Sequence, residues 1–315
     1  MRCRNFAYDA GLFKSVRVPV PVVCIGNLST GGTGKTPTVE WAAGVLRDDD
    51  RRPAILSRGY GVDGGPNDEA LMLEENLPDV PHLQGRDRVE IAQTAIHELE
   101  STVLILDDGF QHRRLVRDLN FVTIDAARPP HRDHLLPSGT LREPMSALRR
   151  AHGIILTRCD QASPAMLAEL RAVLQRIVPM VPIAETCHRP MELQGGEMPE
   201  FLTGLHGRWV AVVCGIARPE AFKHTVTDLG AKVVATRVFA DHHAYTRTDV
   251  EELATWATAL PVGVLVLTTQ KDFVKLRIAE LGNKPLRAVR VGLEFRSGEA
   301  ELRTLLTNLP RVEDE

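Results

Sequence analysis

Lys35 and Thr36 close the run G-N-L-S-T-G-G-T-G-K-T that extends from Gly26 to Thr36. An ammonium and a hydroxyl directly after clustered glycines suit one ligand chemistry above others, the oxygens of a polyphosphate. Glycines at 31, 32 and 34 let backbone N–H groups curl inward around such oxygens, and the start of a following helix adds its positive dipole end. Lys35 then reaches the β- and γ-phosphates, and the Thr36 hydroxyl ligates a bridging magnesium ion. The candidate cradle is Ser29, Thr30, Gly31, Gly32, Thr33, Gly34, Lys35 and Thr36. The full P-loop pattern asks for glycine at position 29, where Ser29 stands. A glycine-rich loop with no ligand is the alternative, and the apolar strand before it and the helical pattern after it speak against that.

A second pair of acids fits the same chemistry. Thr102 to Asp107, T-V-L-I-L-D, reads as a fully buried strand of a parallel sheet, and it ends in Asp107-Asp108. Adjacent carboxylates need a cation or a proton nearby, and acids at the end of a buried strand downstream of a P-loop are the arrangement that holds magnesium. His112, Arg113 and Arg114 follow closely and are expected to form a positive cluster beside the acidic pair.

Other residues carry less specific signals. Arg58 ends a short strand at Pro53 to Leu56, where it could meet a phosphate or form a structural ion pair. Asp68-Glu69 opens a helical pattern, and acids in a first turn are ordinarily dipole partners. The D-H-H word at Asp241 to His243 follows a strand, and general base, metal pair and exposed polar turn all remain open for it. His131 and His134 have a metal-compatible spacing but lack a third clustered ligand, so surface histidines are the better reading.

The elements that must position these groups are legible from periodicity. Val39, Ala42, Ala43 and Leu46 give a helical face after the loop, and buried strands recur near 53–56, 102–107, 120–125 and 153–156. Strands alternating with helices imply a parallel, doubly wound sheet. The expected fold is α/β, P-loop-containing, mostly parallel and doubly wound, with a second, smaller α/β domain. The expected division is 1–185 for the nucleotide-binding domain, 186–205 for a Pro- and Gly-rich linker or crossing stretch, and 206–315 for the smaller domain closing over the cleft.

Composition narrows the partners. A net charge of −3 gives no basic excess for nucleic acid, and nothing in the sequence implies a protein partner. The five cysteines lack C-x-x-C pairing, which argues against a disulfide framework and fits a reducing cytoplasm. No apolar run approaches the about 18 residues of a membrane span. The segment from Met1 to Arg17 mixes Phe6, Tyr8, Leu12 and Phe13 with Arg2, Arg4, Lys14 and Arg17. It could touch an anionic membrane surface or pack its aromatics back onto the domain.

Several words stand in a telling order: G-N-L-S-T-G-G-T-G-K-T-P, S-R-G-Y-G, the D-E at 68, L-D-D-G-F-Q-H, L-P-S-G-T-L-R-E-P, T-R-C-D, F-A-D-H-H-A-Y and T-T-Q-K-D-F-V-K-L. From about Arg4 to Leu276 this set resembles the tetraacyldisaccharide 4'-kinase family of lipid A biosynthesis. The resemblance implies ATP and Mg2+ as cofactors, a tetraacylated disaccharide 1-phosphate as acceptor, and peripheral work at the cytoplasmic face of the inner membrane. It implies Asp68 as the base together with His242, and Asp107 and Asp108 as managers of magnesium and the phosphates, with Asp108 also catalytic. Arg58, His112, Arg142 and His243 are the weaker candidates for phosphate or substrate contact. The acidic word reads N-D-E-A where the family has G-D-E-P. Family members usually begin with a membrane-seating helix, and this chain starts about where that helix would end, so either the true start lies upstream or docking falls to the segment 2–17 and other surface patches. The rival is a regulatory P-loop ATPase of the partition or metallochaperone type. Its loop carries lysine before the first glycine, where this chain has Thr30.

Overall fold

The computed structural model describes residues 2–59, 68–241 and 243–311. The chain divides into two compact units, Met1–His188 with Leu293–Glu315, and Arg189–Gly292.

The first unit contains α1 (Arg2–Asp9), β1 (Val22–Asn27), α2 (Lys35–Asp48), β2 (Pro53–Ser57), α3 (Asp68–Asn76), β3 (His82–Gln84), α4 (Arg88–His97), β4 (Val103–Asp107), β5 (Leu119–Asp125), β6 (Gly153–Thr157), α5 (Pro164–Ile177) and the start of β7 (Ile183–Gln194). Its strands run in the order β3-β2-β4-β1-β5-β6-β7, every neighbouring pair parallel. Strands β1, β2, β4 and β6 are buried along their whole length, because helices cover both faces. On one face Val39, Ala42, Ala43 and Leu46 of α2 pack with Ile25, Ile55 and Ile105. On the other, Ala92 of α4 and Leu170 and Leu174 of α5 join Cys24, Leu104 and Leu106. Each fully buried Leu or Ile contributes about 1.5–3 kcal/mol by leaving water, so the edge of strands carrying the polar residues stands on a rigid base.

The second unit contains β8 (Trp209–Cys214), α6 (Pro219–Asp228), β9 (Lys232–Val238), α7 (Arg247–Thr258), β10 (Leu265–Thr269), α8 (Gln270–Leu276), β11 (Glu280–Leu281) and most of β12 (Lys284–Ser297). It repeats the same construction at smaller scale, with parallel strands in the order β12-β10-β8-β9. Helices again leave an apolar cluster on each face, one around Val210, Val212 and Leu267, the other around Val213, Leu253 and Val266.

Two stretches differ from the sequence reading. Residues 183–194, within and beside the expected linker, form β7, whose Ile183 to Glu185 pair with Ile154 to Leu156 of β6. Burial of Ala184, Thr186 and Cys187 outweighs the proline signal, since Pro179 and Pro182 precede the strand and Pro190 lies beyond the paired register. The last segment, expected in the smaller domain, belongs to the first unit. There α9 (Glu299–Thr307) buries Leu302 and Leu306 in the cluster built on α2. Arg51 donates Nη1 to the Pro310 carbonyl at 2.9 Å and Nη2 to that of Leu309 at 2.5 Å, supplying donors just beyond the helix end that lacks them.

Candidate active site

The loop from Asn27 to Lys35 joins β1 to α2, and its shape is set by its outward-facing groups. Thr157 Oγ1 donates to the Thr33 carbonyl at 2.9 Å, Arg158 Nη1 to that of Gly32 at 2.8 Å, and Thr38 Oγ1 to that of Gly34 at 2.9 Å. Thr33 Oγ1 bonds Asn27 Nδ2 at 2.9 Å and Thr123 Oγ1 at 2.8 Å, while Thr30 N donates to Thr140 O at 2.8 Å. Each such bond is worth about 1 kcal/mol net, and together they prearrange the loop before any ligand arrives. Gly34 has φ 84°, and a Cβ there would lie 2.8 Å from His188 Nε2 and 2.9 Å from Thr157 Cγ2, so only glycine fits.

Lys35 and Thr36 open α2, with Thr36 buried. The Lys35 ammonium lies 3.6 Å from Asp108 Oδ1. Arg142 Nη1 donates to both oxygens of the same carboxylate, at 3.2 and 2.9 Å. Burial acts to raise the Asp108 carboxyl, but the charges of Lys35 and Arg142 outweigh it and hold the group below the usual range. Asp108 itself has φ 49°, a left-handed conformation rare outside glycine and concentrated at functional sites.

Asp107 is the opposite case. Burial, helped by the charge of Glu69 on α3, pushes its carboxyl up to about 7, with Lys35 opposing. Its Oδ1 is buried without a hydrogen-bond partner. An orphaned carboxylate oxygen beside a second carboxylate is the donor set a hard divalent cation takes, so Asp107, Asp108 and Thr36 fit magnesium.

The expected positive cluster after Asp108 is not formed. Arg114 pairs with Asp87 at 2.6 Å, Arg113 donates to the Asn5 carbonyl at 3.1 Å, and burial pushes the His112 imidazole down to about 4, leaving it neutral. The turn after β4 aims these side chains at α1 and α4, and the cations that reach Asp108 are Lys35 and Arg142. Arg58 is exposed at the carboxyl end of β2. Asp68 begins α3 and is half-buried, whereas residues 60–67 lie outside the described residues. His131 Nε2 lies 2.9 Å from Glu169 Oε1.

In the second unit, His242 lies outside the described residues. Its neighbour His243 stacks on Phe239 at 4.7 Å and directs Nε2 to Asp249 at 3.1 Å. Tyr245 donates its hydroxyl to the fully buried Asp272 at 3.0 Å, Thr269 Oγ1 does so at 2.6 Å, and Lys275 Nζ reaches the His243 carbonyl at 3.2 Å. The T-T-Q-K-D word therefore anchors the loop that carries D-H-H.

Residues 1–311 match the family model described as tetraacyldisaccharide-1-P 4'-kinase. The chain belongs to this family. A tetraacyldisaccharide 4'-kinase of Anaeromyxobacter sp. (strain Fw109-5) is 41% identical, over 95% of this chain and 85% of that protein. One from Chlorobaculum tepidum is 36% identical over 99% of this chain and 94% of that protein. Among solved structures, LpxK from Aquifex aeolicus in complex with ATP superposes with a TM-score of 0.77 at 30% identity, over 97% of this chain and 93% of that one. Within the 4'-kinase family frame, the contributions of Glu69, Arg158 and His188 were not singled out from the sequence. The T-R-C-D word at the end of β6 was the available signal for Arg158, and a lone histidine in β7 offered none.

Proposed function

We propose that the protein transfers the γ-phosphate of ATP to the 4'-hydroxyl of a tetraacylated disaccharide 1-phosphate in lipid A biosynthesis. The observation that carries this reading is the convergence of Lys35, Asp107, Asp108 and Arg142 beside a prearranged P-loop, in a chain matched by the 4'-kinase family over nearly its whole length.

The loop N–H groups and Lys35 bind and orient the polyphosphate. Thr36, Asp107 and Asp108 would hold magnesium, which neutralises charge on the β- and γ-phosphate oxygens when bound. Arg142 holds the Asp108 carboxylate in place through its Nη1. Asp68 accepts the proton of the 4'-hydroxyl, assisted by His242, as that oxygen bonds to the γ-phosphorus and the bond to the β,γ-bridging oxygen breaks, releasing ADP. We assign both residues these roles by resemblance to the family, Asp68 from the first unit and His242 from the second.

We place the protein at the cytoplasmic face of the inner membrane as a peripheral enzyme. No described helix is long and apolar enough to cross a membrane. Phe6, Leu12 and Phe13 are exposed beside Lys14 and Arg17, which supports docking by this segment. Incubation with labelled ATP, magnesium and the lipid acceptor in detergent tests the function. Label in the lipid is expected, and ATP hydrolysis with unlabelled lipid would sink the reading.

A further inference from the structure

We infer that His188 is a nucleoside-contacting residue, whose Nε2 hydrogen-bonds the base or ribose of the bound nucleotide. The inference rests on the nucleotide reading of the P-loop and extends it to a residue on β7.

Thr157 and Arg158 each give a donor to a loop carbonyl, and Thr123 and Asn27 bond the Thr33 hydroxyl. His188 contributes to the same wall, packed against Gly34 and Thr157, yet its Nε2 is buried with no hydrogen-bond partner. A buried imidazole nitrogen left unpaired costs about 1–3 kcal/mol, so a ligand that satisfies it recovers that cost. Burial and the neighbouring Arg158 charge hold the ring neutral, so it can act as a hydrogen-bonding group toward an uncharged partner. Asp125 and Asp160 also act on it, and Asp125 is taken up by Arg158 at 2.5 Å.

Strand order supplies the direction. Lys35 meets Asp108, which follows β4, on one side of β1. That contact marks the terminal-phosphate end of the site. The rest of the nucleotide then extends to the other side of β1, over the carboxyl ends of β5, β6 and β7, where open α/β sheets place ligands. His188 stands on that side, next to the last glycine of the loop.

Calorimetric titration with ADP and with tripolyphosphate, which has no nucleoside, separates this role from simple packing. For His188→Ala, ADP binding is expected to weaken about tenfold while tripolyphosphate affinity stays within about twofold, and His188→Gln is expected to restore most of the ADP affinity. Equal weakening toward both ligands, or unchanged ADP binding, would overturn the inference. If the wild-type protein binds neither ligand, the nucleotide reading itself fails and the inference with it. A measurement without any variant uses the 15N resonances of the His188 ring in the full chain. The Nε2 signal is expected to move on adding ADP and to stay in place with tripolyphosphate, and movement of equal size with both contradicts the assignment.

Discussion

Lys35 Nζ lies 3.6 Å from Asp108 Oδ1, so the cation that would meet the phosphates is already held by one of the two acids at the end of β4. The pair restrains the ammonium beside the Asp108 carboxylate. It also defines how Asp108 should behave when neutralised. Asp108→Asn keeps the shape and removes the charge, and turnover is expected to fall about 100-fold or more while the Kd for ATP moves by only a few-fold. Steady-state kinetics beside direct nucleotide binding checks the split.

Asp68→Ala and His242→Ala should each lower kcat by about 100-fold or more, within the range of general-base contributions, and leave ATP affinity nearly unchanged. A variant that mainly loses nucleotide binding would remove its residue from the proton-transfer role.

Gly34→Ala places a methyl against His188 Nε2 and Thr157 Cγ2 in a left-handed backbone. We expect a loss of about 1–3 kcal/mol in stability and a collapse of nucleotide binding. Denaturant titration with and without ADP reads both effects, and a wild-type response to ADP would contradict the close packing of this loop.

Asp107 makes the metal-free protein sensitive to pH. Burial raises its carboxyl from the ordinary 3.8 to about 7, so the folded chain binds its proton more tightly than the unfolded chain. The associated stability is fully present below about pH 3.8 and is lost as pH rises through about 7. Asp107→Asn resembles the protonated acid and carries no charge. In chelator, this variant should be more stable than wild type at pH 8 by a few kcal/mol, since each tenfold difference in proton affinity is worth about 1.4 kcal/mol, and about equal near pH 4. Urea unfolding at the two pH values measures it.

How much of this was legible in the sequence follows from what each signal depends on. The P-loop, the acids after β4 and the parallel sheet are written in short local words and buried runs, and those elements stand where periodicity puts them. Strand β7 was obscured because prolines at 179, 182 and 190 dominate the local composition, while its reason for being extended is pairing with β6. The C-terminal helix α9 joins the first unit through Leu302 and Leu306 and through Arg51, contacts about 260 residues apart that no local pattern announces. Arg113 and Arg114 show the same limit at the site: sequence placed them near Asp108, but the turn directs them to Asn5 and Asp87, and Arg142 arrives from a distant loop instead. His243, a weaker candidate for substrate contact from its sequence word, pairs with Asp249 at the start of α7, which ties it to loop structure.

The central claim is that phosphate goes to a sugar hydroxyl of the lipid. Phosphorus NMR of the lipid recovered after one turnover with magnesium and ATP reads this directly. The account predicts two phosphomonoester resonances, the retained 1-phosphate and a new one at the 4' position, with one ADP formed per new ester. Inorganic phosphate with an unchanged lipid, or a diphosphate built on position 1, would contradict it.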